Sequence, residues 1–182
     1  MSFLNELLGR KNPNLVMQPL YNAIITQGRQ VDWYEHGGVP DTLDGRFDMI
    51  AAILCAVLIR LEHPEDMGQE IAQKTAWLTE LFVTDMEGQL RQIGIGDMIV
   101  GKHVGNMMSA LGGRLGAYRE ALNYGPDIKA TKEALTRNLY RGEAPEPDAL
   151  DFTASKFAGF YARLSDTAID QIIAGNIAKV EP

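Results

Sequence analysis

Residues that commonly carry catalysis or bind metals are few and scattered here: three histidines and one cysteine among 182 residues. A helical bundle holding a metal through carboxylates needs inward-facing glutamates and Glu-x-x-His pairs, because one helical turn must present both ligands to the same ion. The residues three positions before His36, His63 and His103 are Trp33, Arg60 and Val100, and no two histidines stand four apart. Each histidine therefore reads as an ordinary surface or core residue, and no metal ligand is assigned. Gly96-Asp97-Met98-Ile99-Val100-Gly101-Lys102-His103 reproduces the glycines and lysine of a P-loop, yet His103 stands where a serine or threonine would ligate magnesium. Asp97 would place negative charge where backbone amides should cradle phosphate, and it reads better as the cap of a helix N-terminus. No serine sits in a nucleophile-elbow pattern, and Cys55, inside an apolar run, reads as a small buried hydrophobe. The expectation is a protein with no catalytic, cofactor or metal site.

Two features resist so plain a reading. Along a helix after Asp97, a turn of about 100° per residue puts Gly101, Gly105, Gly112 and Gly116 within one arc of roughly 60°. Each glycine in a helix interior costs roughly 1 kcal/mol relative to alanine, so a close backbone approach by another helix should compensate. Packing within the protein is favoured over a groove for a foreign helix, with a break at Gly112-Gly113 as the alternative. Asp85 falls on an apolar stripe with Leu78, Leu81 and Phe82. An unpaired buried carboxylate is unfavourable, so a cation is expected beside it, Arg114 or Lys102 of the following helix being the candidates.

These positions must be held by helices. Met49 to Ile59 is apolar on every side, which predicts a central helix enclosed by the others, starting near Phe47 after the capping residues Asp41-Thr42-Leu43-Asp44 and ending before Pro64. Helices are expected from about Asn14 to Gly28, with Pro19 in the first turn or at a kink, and from Glu65 towards Gly94. Others should follow over about Asp97 to Asn123, Asp127 to Arg141, Asp148 to Leu164 and Asp166 to Ala174, while Trp33 to Pro40 reads as a loop. Gly142 to Pro147 links the last helices. With no alternating apolar pattern and no repeat, the fold class is all-α: a single-domain multi-helix bundle around a buried apolar helix. The expected boundaries are a short amphipathic segment over residues 1–12, carrying Phe3, Leu4, Leu7 and Leu8, and a helical domain over residues 13–182.

A net charge of -7 argues against direct nucleic-acid binding. A single cysteine suits a reducing cytoplasm. Met1 to Arg10 lacks the charged and apolar regions of an export signal, and the Met49 to Ile59 run falls short of the roughly 20 residues that span a bilayer. A cytoplasmic protein is expected, with a peripheral contact at the inner membrane through the Phe3 to Leu8 segment as the only membrane option.

Phe82, Asp85-Met86-Glu87, Leu90-Arg91, Gly94-Ile95-Gly96-Asp97, Val100-Gly101-Lys102, Gly113-Arg114-Leu115, Tyr118 and Arg137-Asn138-Leu139-Tyr140 together resemble the ubiquinol-cytochrome c chaperone domain. The run Val39-Pro40-Asp41-Thr42-Leu43-Asp44-Gly45-Arg46-Phe47 is similar to an earlier block of that family. The resemblance implies an all-helical, non-enzymatic assembly factor of the cytochrome bc1 complex whose partner is cytochrome b or another subunit, with a co-chaperone as a further partner. Asp85, Asp97, Lys102, Arg114, Tyr118 and Arg137 are then the expected partner-binding residues, partly as core and partly as groove. The alternatives are a cofactor- or metabolite-binding helical enzyme, which would carry a bound group, and a generic peripheral-membrane module, which would depend on Phe3 to Leu8.

Overall fold

A computed structural model describes residues 12–92, 94, 97–122 and 128–177; of Asp97, Met98, His103 and Val104 only the backbone is described. The Phe3 to Leu8 segment therefore lies outside the described residues. Among them every regular element is helical: a 3-10 turn at Pro13–Met17, then α1 (Gln18–Gly28), α2 (Asp32–Glu35), α3 (Leu43–Leu61), α4 (Gln69–Gln92), α5 (Asp97–Leu122), α6 (Ile128–Asn138), α7 (Pro147–Asp166) and α8 (Ile169–Ile173).

The all-apolar run becomes the middle of the molecule. Every residue of α3 from Asp48 to Leu61 is buried, and α1, α4, α5 and α7 all pack against it. Thr42 starts α3 by accepting a hydrogen bond from the Gly45 amide at 3.1 Å, one turn before the expected start at Phe47. Gly45 has no substitute there, because a Cβ would sit 2.0 Å from the Pro40 carbonyl oxygen. Arg60 closes the other end: its guanidinium donates to the Leu164 carbonyl at 3.1 Å and the Thr167 carbonyl at 3.2 Å, tying α3 to the C-terminus of α7.

The helix expected over Asn14 to Gly28 is a 3-10 turn followed by α1, with Pro19 in the first turn, where its missing amide costs nothing. The segment expected as a loop contains α2. Trp33 is fully buried there, donates through Nε1 to the Gln27 carbonyl at 2.8 Å, and lies 4.8 Å beneath the Lys156 ammonium. Tertiary anchoring of one indole thus imposes a helical turn that local propensity did not announce. After α6, Arg141 and Gly142 both take positive φ, 54° and 91°, and turn the chain into α7. The helix expected from Asp166 shortens to α8, because Thr167 ends α7 in an extended conformation.

Candidate functional site

The six residues expected at the site do not form one cluster. Four of the positions lie on α5, whose rise of about 1.5 Å per residue sets Lys102 roughly 18 Å from Arg114 and roughly 24 Å from Tyr118. Lys102 also faces away from them, by about 120° and 160° around the helix.

Arg114 points inward, with 12% of its side chain exposed, and binds the Asp48 carboxylate of α3 while its guanidinium lies 5.3 Å from the Phe47 ring. Asp48 is only 1% exposed, and its other oxygen takes the Arg141 Nε at 2.6 Å. Arg141 continues to Asp44 at 2.7 Å. Burial holds the Asp48 carboxyl above the usual carboxylate range; the two arginines oppose that shift without cancelling it. Tyr118 is fully buried, its ring centroid 5.2 Å from that of Phe157, and its hydroxyl has no hydrogen-bond partner among the described residues. Burial drives that hydroxyl far above the ordinary tyrosine value, so it stays protonated.

Asp85 corrects the expected pairing. Its carboxylate accepts from the Tyr21 hydroxyl at 2.7 Å and the Gln89 amide at 3.1 Å, and neither Arg114 nor Lys102 reaches it. The reason lies in packing order: α4 rests on α1 as well as on α5, so its polar edge meets Tyr21 of α1. Burial, reinforced by the hydrogen bond to Asp85, pushes the Tyr21 hydroxyl well above its ordinary value and keeps it a donor. Lys102 and Arg137 are both exposed, and neither has an ion pair among the described residues. The side chain of Asp97, and with it the expected cap, lies outside the described residues.

The glycine arc is where expectation and structure differ most. Gly101, Gly105, Gly112, Gly113 and Gly116 are all exposed, and a Cβ added to any of them would meet nothing within 4 Å. Packing against the described residues is therefore not their compensation. The buried face of α5, formed by Leu111, Ala117, Tyr118, Ala121 and Leu122, turns towards α3 and α6, and the arc lies opposite. Beside the arc Met108 is 37% exposed, and Ser109 is exposed too. The result is a face about 22 Å long of nearly bare helical backbone, flanked by Met108 on one side and by Ser109 and Lys102 on the other. Sequence reasoning missed Asp48 and Arg141. The signal for Asp48 was legible in principle, as an acid directly before the apolar run from Met49 to Ile59.

Among the described residues no group of three or more histidines, cysteines, aspartates or glutamates could hold a metal ion, and no described helix is long and apolar enough to cross a membrane. The features that remain are a helical body with a buried ion cluster and one bare helix face. They define an all-α helical body of one domain.

The family model for the ubiquinol-cytochrome c chaperone matches residues 35–179. The solved structure of the Cbp3 homolog from Brucella abortus is 26% identical, with a TM-score of 0.79 over 98% of this chain and 97% of that one. No curated protein matches the chain. The chain belongs to the ubiquinol-cytochrome c chaperone family and is an assembly chaperone of the cytochrome bc1 complex.

Proposed function

We propose that the client is cytochrome b and that one of its apolar helices lies along the outer face of α5. The observation that carries this reading is the open arc itself, since its four glycines cost about 4 kcal/mol relative to alanines and no described residue packs against them. Close approach of a foreign helix is the use that repays bare backbone, as small-residue faces do between apolar helices. Lys102 and Arg137, neither with an ion pair among the described residues, offer cations to the polar ends or loops of the client, and Met108 offers adaptable apolar contact. Arg114 and Tyr118 act from beneath, holding α5 against the body, and Asp85 fixes α4 to α1. A co-chaperone is a further candidate for the exposed cations. The protein then works at the cytoplasmic side, peripherally, where a membrane subunit is being assembled.

The test is capture in cells that make a bc1 complex. Gly105→Leu with Gly112→Leu should abolish co-purification of cytochrome b while leaving the helical circular-dichroism signal intact, because both side chains project into open space. Lys102→Gln with Arg137→Gln should weaken capture in a salt-dependent way. Undiminished capture by the leucine pair would reject this placement.

A further inference from the structure

The outer side of α1 carries a base and an acid that stay apart. Asn22, Thr26 and Arg29 are exposed along it, and a hollow between α1 and α4 is lined by Tyr21, Ile25, Leu81 and Thr84 together with Arg29 and Asp85. Arg29 has neither an ion pair nor a side-chain hydrogen bond among the described residues. Asp85 is half-buried and answered only by neutral donors, the Tyr21 hydroxyl and the Gln89 amide. A carboxylate partly withdrawn from water on an apolar helix edge gains most from a cation, and none of the described residues supplies one. The two charges do not meet because Asp85 is held at the level of Tyr21, eight residues and about 12 Å along α1 from Arg29.

A face with a base at one end and an acid at the other is complementary to itself when turned end for end. A two-fold axis lying across α1 between Ala23 and Ile24 makes two such helices antiparallel and keeps the α4 side of each on the α4 side of the other. It brings Arg29 of each copy to the Asp85 end of its mate, giving two charge pairs in one contact. The apolar residues obey the same operation. Val16 and Val31 stand equally far from that axis along the sequence, are 53% and 59% exposed, and come opposite each other across it. Ile25 then lies over Asn22 near the centre.

We propose that a second copy of this chain docks on the outer side of α1, antiparallel, as a reversible two-fold dimer held by reciprocal Arg29 and Asp85 pairs. The contact is one helix face wide, which makes it a weak interface and not an obligate one. It lies apart from the client site: α3 and α4 each pack against both α1 and α5, so the glycine face of α5 stays free in both copies.

Sedimentation of the full chain measures the association. The dimer fraction should rise with concentration and fall with added salt. Arg29→Glu sets acid against acid twice over and should weaken association tenfold or more, and Asp85→Arg should do the same by opposing cations. Mixed in equal amounts the two variants should associate again, because both pairs across the contact regain opposite signs. A cross-link gives a measurement that leaves Asp85 untouched. Asn22 is exposed and close to the axis, so Asn22→Cys should oxidise to a linked dimer, while Glu133→Cys on α6 stays monomeric; the native Cys55 is buried and does not compete. A monomer at every concentration overturns the proposal. So does a dimer that Arg29→Glu leaves intact, or a pair of folded variants that stay apart when mixed. If Asp85→Arg does not fold, adding Arg29→Glu to Asn22→Cys decides: linking slowed tenfold or more supports the contact, and linking at an unchanged rate overturns it.

Discussion

Replacing Gly101, Gly105 and Gly116 of α5 by alanine should make the isolated protein more stable and the chaperone less effective. An alanine Cβ meets nothing within 4 Å at any of the three positions, so no steric penalty offsets the gain in helix propensity. That gain is about 1 kcal/mol per site, and no added methyl meets a described atom within 4 Å, so the triple variant should gain about 3 kcal/mol. For a chain of this length 1 kcal/mol moves Tm by about 2 to 4 °C, which puts the expected rise at about 6 to 12 °C. Thermal melts followed by circular dichroism, with urea titration as a second probe, measure it. On the client side the sign reverses, because each methyl separates backbones that approach through bare glycine, at about 1 to 3 kcal/mol per overlap. Capture of cytochrome b should fall tenfold or more. An unchanged or lowered Tm would refute the reasoning, since it would mean that the glycine face is occupied within the protein itself. A raised Tm with undiminished capture would refute only the placement of the client.

Other consequences follow from the buried charges. Asp48→Ala strands the Arg114 guanidinium at the side of α3 and should cost about 3 to 5 kcal/mol in urea unfolding, whereas Arg141→Ala, removing a half-exposed partner, should cost about 1 kcal/mol or less. Burial pushes the Cys55 thiol up to about 12, so maleimides and disulfide reagents should leave it untouched in the native protein and modify it only at a rate that tracks global unfolding. The Lys156 ammonium, by hydrogen bond and then by charge, holds the Asp32 carboxyl below its ordinary value. Native protein therefore binds fewer protons there than unfolded chain, and the stabilisation, full above about pH 4, is lost as pH falls through the lowered value. Asp32→Asn should flatten the acid limb of the stability profile, and an unaltered limb would show that the ion pair contributes nothing.

How far the sequence reaches depends on whether a residue's environment is set locally or across helices. Met49 to Ile59 announces itself because a helix with no polar side has only one stable place, and the capping residues Asp41 to Asp44 announce the neighbourhood of the α3 start because a cap is a contact about three residues long, though the helix begins one turn before the expected Phe47. The short α2 does not, since four residues carry no period and Trp33 is placed by Gln27 and Lys156. Asp85 shows the same limit: helical spacing identified a polar residue on an apolar stripe, but the neighbouring helix that meets it is α1, and spacing within α4 holds no record of that order. The glycine arc was fully legible as a pattern and misread as an interior one, because nothing along α5 itself says which side turns inward.

What does set that rotation is the ion cluster that sequence reading left out. Arg114 stands about 170° round α5 from the middle of the glycine arc, so pinning its guanidinium to Asp48 necessarily points the glycines at solvent. A buried carboxylate held above its usual range is a poor source of stability, and an apolar pair of similar volume would hold α5 to α3 at least as tightly. Apolar contact, however, tolerates rotation and register shift, whereas a charge buried with 1% exposure tolerates only the geometry that pairs it. The cost at Asp48 is thus offset in orientation: with Arg141 closing the same carboxylate from the start of the α6 to α7 link, three segments far apart in sequence fix one helix so that its barest side is the side presented to a partner.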